Sequence, residues 1–471
     1  MESHNRVLRC FLSIFRASLL LILMFMVRDT SSMKTRKPLT QTRAYVKGDV
    51  ILGGLFPVHS RGATNAEVCG RINSDRGIQR AEAMLFAIDK INNDTNILPG
   101  IVLGADIRDT CSRDTYALEQ SLEFVRGSLT SIGQTINECV TDEISTVTVD
   151  TAEEGLLAGV VGGSYSTVSI QVANLLRLFQ IPQVSYASTS LKLSDKSRFQ
   201  YFARTVPPDT FQARALVDIV ALFNWTYVST VASEGNYGES GIGEFEREAT
   251  ARNICIAASE TVPYNAKKVT FDTIMNNLQK KKNAKVIVLF TNVDDAGSML
   301  AAAKRANFSY EFIWLASDGW GVQTKPPQGR DSVAEGAITI ELQTRKIDQF
   351  DDYFLNLRPQ TYNRNPWFAE YWEQQLLCSL DSNQNPQDVT TLQPCRPEQH
   401  LDPDLHKQEK KTQFVVDAVY ALAMALDQMQ KHICNRTTDG KLCDEMIPLD
   451  GEKLFNDFLL NVNFEGTYCS L

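Results

Sequence analysis

Leu156-Leu157-Ala158-Gly159-Val160-Val161 is an unbroken apolar run, Gly162-Gly163-Ser164-Tyr165-Ser166-Thr167 is a glycine-rich turn, and residues 168–179 carry apolar side chains at helical spacing. Strand, turn and helix in that order place the backbone N–H groups of the turn at a helix N-terminus, which binds a carboxylate or phosphate without special help. The same turn is also an ordinary connection, and the residues alone leave both readings open. It is not a P-loop, because no Gly-Lys-Ser/Thr follows, and it lacks the final glycine of a nucleophile elbow. Outward from this stretch, residues 50–58, 181–186, 227–232, 286–290 and 312–316 are short β-rich apolar runs. Residues 77–92, 210–223 and 294–307 are helix-periodic. The alternation predicts an α/β fold of parallel sheets covered by helices on both faces. Ligands in such folds sit at the carboxyl ends of the strands.

Two such blocks can be drawn, 45–205 and 206–338, with Val206-Pro207-Pro208 as a stiff crossover between them. The chain then returns to a helical block, 339–464, that completes the first. Residues 381–410 are rich in Asn, Gln and Pro and read as a surface loop. The length of 471 residues, 43% hydrophobic and 22% charged, suffices for roughly two or three cores and excludes a single small domain. A net charge of −9 without a basic stripe argues against nucleic acid as a partner. Scattered histidines, no metal-ligand spacing and no nucleophile beside a base argue against an enzyme, and no cofactor is expected.

Near the N-terminus, Arg6, Arg9 and Arg16 precede an apolar run from Ala17 to Val27. The run is shorter than the roughly 20 residues that span a bilayer and matches a signal peptide over residues 1–32, a signal anchor being the other reading. Sequons at Asn93, Asn224, Asn307 and Asn435 agree with a secreted, oxidising setting. Cys10 falls within the leader, which leaves nine further cysteines, an odd number.

Several longer motifs are specific in combination. Asp75-Arg76-Gly77-Ile78-Gln79-Arg80, Thr110-Cys111-Ser112-Arg113-Asp114-Thr115-Tyr116, the turn quoted above, Tyr186-Ala187-Ser188-Thr189-Ser190, Val206-Pro207-Pro208-Asp209, Ser233-Glu234-Gly235-Asn236-Tyr237-Gly238-Glu239 and Ala316-Ser317-Asp318-Gly319-Trp320-Gly321 occur in this order. Together they resemble the ligand-binding domain of the metabotropic glutamate receptors, with group II the nearest. The resemblance implies a bilobed, periplasmic-binding-protein-like clamshell of two doubly wound lobes that closes on L-glutamate within a dimer. It places the α-carboxylate on Ser164, Ser188 and Thr189, and the ammonium on the Ala187 carbonyl, Asp209, Asp318 and the ring of Tyr237. The distal carboxylate falls to Arg80 and Lys411, with Arg76 nearby. Hydroxyls and N–H groups suit a carboxylate, and carboxylates with an aromatic face suit a primary amine. Burying a second carboxylate without cations would be prohibitive.

The resemblance further implies disulfides Cys69–Cys111, Cys378–Cys395 and Cys434–Cys443, an intersubunit bridge through Cys139, and a partner for Cys255 in a cysteine-rich domain. One departure stands out: Asn292 occupies a position where group II receptors carry an arginine that supports the distal carboxylate. Residues 465–471 read as a tail that stops short of the cysteine-rich and seven-helix domains. Signalling through a heterotrimeric G protein is therefore expected only from a longer receptor at the plasma membrane, and this chain is expected to be secreted. A free amino-acid-binding or decoy protein built on the same clamshell is the competing reading.

Overall fold

The computed structural model describes residues 43–62, 64, 67–137, 155–380, 392–434, 442–466 and 469–470, with the backbone alone at 128–137 and beyond 464. The expected leader, Cys139 and Asn435 lie outside the described residues.

The first sheet has six strands in the order β1-β5-β2-β6-β7-β8, formed by β1 (Arg43–Val46), β2 (Val50–Phe56), β5 (Leu103–Asp109), β6 (Leu156–Val161), β7 (Gln183–Ser185) and β8 (Phe202–Arg204). Only β1 runs antiparallel, against β5. β2 is buried at all seven positions, the mark of a parallel strand covered on both faces. Its coverings include α1 (Arg80–Asn92), which continues from a short π-helical segment, Ser74–Gln79, and α3 (Ser166–Leu176). The hairpin of β3 (His59–Arg61) and β4 (Cys69–Ile72) closes one rim, and α2 (Asp114–Asn137) follows β5. β5 is fully buried although it carries Asp106, Arg108 and Asp109. Arg108 Nη2 meets Asp106 Oδ2 at 2.9 Å inside the strand, so one internal ion pair replaces apolar contact.

After β8 the chain passes Val206-Pro207-Pro208 and enters a second, wholly parallel sheet in the order β10-β9-β11-β12-β13. Its strands are β9 (Tyr227–Ser233), β10 (Cys255–Val262), β11 (Val286–Phe290), β12 (Ile313–Ala316) and β13 (Ile338–Thr339). Helices α4 (Asp209–Leu222) and α5 (Asn236–Ala251) pack one face, through Val217, Phe245 and Phe290. Helices α6 (Lys268–Gln279) and α7 (Val293–Arg305) pack the other, through Met275, Leu289 and Met299. Each lobe therefore has its own core.

Beyond β13 the chain returns to the first core through α8 (Asp348–Asn356), α9 (Phe368–Leu376) and α10 (Thr412–Ile433), whose Phe350, Phe368, Trp372 and Val416 share a cluster with Leu52 and Leu85. Burying side chains of this size contributes roughly 1.5–3 kcal/mol each. Most described residues of the segment read as surface loop, from 392 onward, are exposed, but a few of its side chains are anchored. Leu401 is buried, the His406 ring stacks on Phe354 at 5.5 Å, and Gln408 braces the backbone of Ile347 in both directions. Its polar composition hides side chains that satisfy buried backbone groups. Among the described residues three disulfides are formed, Cys69–Cys111, Cys378–Cys395 and Cys434–Cys443, and Cys255 is an exposed thiol. The sequon residues Asn93, Asn224 and Asn307 are exposed.

Candidate ligand-binding cleft

The carboxyl ends of β6, β7, β9 and β12 all open onto one cleft of about 820 Å³ between the two sheets. Its wall includes Arg76, Arg80, Ser164, Ala187, Thr189, Tyr237, Asp318 and Lys411. Ser188 and Asp209 are expected ligand contacts that stand one layer behind. Ser188 Oγ is spent on Ser169 Oγ at 2.7 Å and the Gly163 carbonyl at 3.2 Å, so it braces the turn from beneath. The turn itself requires glycine at 162: φ is +136°, and a Cβ there would lie 2.6 Å from the Leu55 carbonyl oxygen.

On the first-sheet side the cations are unequal. Arg80, 2% exposed, donates Nε and Nη2 to the two oxygens of Glu409 at 2.9 and 2.7 Å, and Nη1 to Ser164 Oγ at 2.6 Å. Burial would penalise both charges, but the bidentate pairing outweighs it. The guanidinium is held above its ordinary range and Glu409 below the usual carboxylate range. Arg80 is thus compensated from within and shapes Ser164. Arg76 reaches across the cleft to the Gly319 carbonyl at 3.4 Å, and Lys411 Nζ meets Asp318 Oδ2 at 2.6 Å.

On the second-sheet side two acids face one amide. Gln212 Nε2 donates to Asp209 Oδ1 at 3.1 Å and to Asp318 Oδ1 at 3.0 Å, and its Oε1 accepts from the Asp318 N–H at 3.1 Å. Tyr237 Oη donates to Asp318 Oδ1 at 2.7 Å and accepts from the Gly319 N–H at 3.1 Å. The pair is electrically split. Burial pushes Asp318 up, but Lys411 with the Tyr237 and Gln212 hydrogen bonds wins and holds it at about 2. Asp209, wholly buried and beside that charge, is pushed up to about 7. Among the described residues its Oδ2 has no hydrogen-bond partner.

One cleft thus presents Asp318 and an aromatic ring from one sheet, with Asp209 behind them, cations from the other sheet that meet Asp318 and the Gly319 carbonyl across it, and a hydroxyl-lined glycine turn beside them. Residues 79–468 match the family described as the receptor family ligand binding region. The chain belongs to that family. It is 51% identical over 455 residues to a metabotropic glutamate receptor of Drosophila melanogaster, an alignment covering 88% of this chain and 46% of that protein. It is 44% identical over 422 residues to metabotropic glutamate receptor 6 of Oryctolagus cuniculus, covering 89% of this chain and 48% of that one. The chain spans about half the length of these relatives. No helix among the described residues is long and apolar enough to cross a membrane.

Within this receptor ligand-binding region, Asn292 is fully engaged. Its Oδ1 caps α7 by accepting from the Asp294 and Asp295 N–H groups at 3.0 and 2.9 Å, and its Nδ2 donates to Asp295 Oδ2 at 2.7 Å. Sequence reasoning missed Gln212 and Glu409. Gln212 lies three residues after Asp209 on one helix face, a spacing that could have flagged it. Glu409 sits in an irregular polar run that gives no such signal.

Proposed function

We propose that this chain is the extracellular ligand-binding region of a metabotropic-glutamate-type receptor and that it binds L-glutamate without transforming it. The division of charge in the cleft carries this reading. L-Glutamate has an ammonium that suits Asp318, Asp209, Tyr237 and the Ala187 carbonyl. Its α-carboxylate suits Ser164, Thr189 and the turn N–H groups, and its distal carboxylate suits Lys411 and Arg76, with Arg80 fixing the floor. The groups come from both sheets, so a bound ligand links them and favours closure by hinge motion. The family resemblance supports a dimer bridged at Cys139, with G-protein coupling belonging to a longer receptor. Calorimetric titration of the secreted chain with L-glutamate is expected to give one site per chain, weakened more than about tenfold, 1.4 kcal/mol, by Asp318→Asn. A folded protein that takes up no L-glutamate would refute the reading. For the dimer, Cys139→Ser is expected to collapse a non-reducing gel band to monomer, and an unchanged dimer band refutes that bridge.

A further inference from the structure

Asp209 and Asp318 are linked through a single side-chain amide, both buried, and their surroundings are lopsided. Asp318 receives Lys411 and Tyr237 in addition to Gln212, whereas Asp209 shares Gln212, has the Thr189 side chain beside it, and keeps Oδ2 without a hydrogen bond among the described residues. The charges facing Asp209 can be enumerated. From the end of β12 comes the like charge of Asp318, from the segment before α10 comes Lys411, and from β8 comes Arg204. Tyr237 of α5 is neutral, its hydroxyl pushed well above its ordinary range, and Glu341 beside Asp318 is itself pushed up by burial. Lys411 is committed to Asp318 at 2.6 Å, and Arg204 is spent on the Ser188 and Ser190 carbonyls at 3.3 and 2.9 Å. Position at the first turn of α4 favours the anion, but by less than burial of a second carboxylate disfavours it.

We propose that Asp209 and Asp318 together carry one proton until an amino acid binds, and that the incoming ammonium, seated on Asp318 at the cleft wall, offsets that charge so that the pair releases the proton to solvent. The inference rests on the proposed function and adds a proton to it: one ammonium enters, one proton leaves, and the charge of the carboxylate pair is again balanced. A buried carboxylate pair titrates as a unit, and an ammonium beside it favours the doubly ionised form. Recognition of the amine is therefore coupled to pH in the neutral range. The sign follows from linkage: the complex holds fewer protons than its parts, so affinity rises with pH until the free pair is ionised.

The test is calorimetric titration of the whole chain with L-glutamate across this range, repeated near pH 6 in two buffers of different ionisation enthalpy. The ligand's own groups titrate outside that window. Affinity is expected to fall by up to about tenfold per pH unit on acidification below roughly pH 7, and to level off above it. The two buffers are expected to report release of close to one proton. Asp209→Asn is expected to bind more weakly, with no proton released. Equal affinity across the range with equal heats in both buffers overturns the proposal, and so does undiminished proton release from Asp209→Asn. The wild-type buffer comparison decides the matter even where that variant does not fold. Absence of binding at every pH by folded protein overturns the proposed function itself, a different failure from pH-independent binding.

Discussion

Arg80 and Glu409 show why a residue's charge does not reveal its role until its partner is known. A bidentate pair this deeply buried is paid for in desolvation, and removing one member strands the other. Arg80→Ala is expected to lower the unfolding free energy by roughly 3–5 kcal/mol, and Arg80→Met combined with Glu409→Leu to recover most of that, as read by denaturant titration. A single variant as stable as wild type would show the pair to be dispensable. His59 offers a pH-dependent counterpart. Burial pulls its pKa down, but hydrogen bonds to Asp109 Oδ2 at 2.5 Å and Glu370 Oε2 at 3.2 Å outweigh it and raise it to about 9. The folded pKa is raised, so the stabilisation is complete below the unfolded value near 6.5 and is lost as pH rises through about 9. His59→Gln is expected to remove about 2–3 kcal/mol at pH 6 and little at pH 10. Equal losses at both pH values would contradict this.

At the scale of elements, legibility followed burial. β2, β6 and β11 could be read because strands covered on both faces are continuous apolar runs. β5 could not, because Asp106, Arg108 and Asp109 break the pattern while their charges are satisfied inside. β10 escaped because it lies at the sheet edge with mixed exposure, and α5 because three glycines interrupt its periodicity. The turn at Gly162 was legible as a possible anion site from residue types alone, whereas Asp209, Asp318 and Lys411 acquired meaning only through the motifs around them. Their linkage through Gln212 needed the fold, since it joins α4 to the end of β12. The bridge Cys378–Cys395 tethers the strap that carries His406 and Gln408. Its sequence separation of 17 predicts a stabilisation of about 3 kcal/mol. The double variant Cys378→Ala, Cys395→Ala is expected to lose that much in thermal unfolding, with L-glutamate affinity changed less than about threefold. A matching loss of affinity would mean that the strap positions Lys411.

On the scale of the whole molecule, two parallel sheets present strand ends to a shared cleft, and Lys411 with Asp318 joins one sheet to the other across it. Arg61 of the β3 hairpin lies 4.1 Å above the Tyr264 ring, joining the two sides again further along the cleft. A ligand with an ammonium for Asp318 and a distal carboxylate for Lys411 replaces the direct pair by two ligand-mediated ones and so keeps the sheets linked. The cleft is expected to select this arrangement of charges. Calorimetric competition among L-glutamate, L-glutamine and glutarate on the same protein tests it most directly, because glutamine lacks only the distal charge and glutarate only the ammonium. Both losses are expected to weaken binding by more than about tenfold relative to L-glutamate, each removing a charge-assisted contact of roughly 1.5–3 kcal/mol. Glutamine or glutarate binding as tightly as L-glutamate would contradict the account.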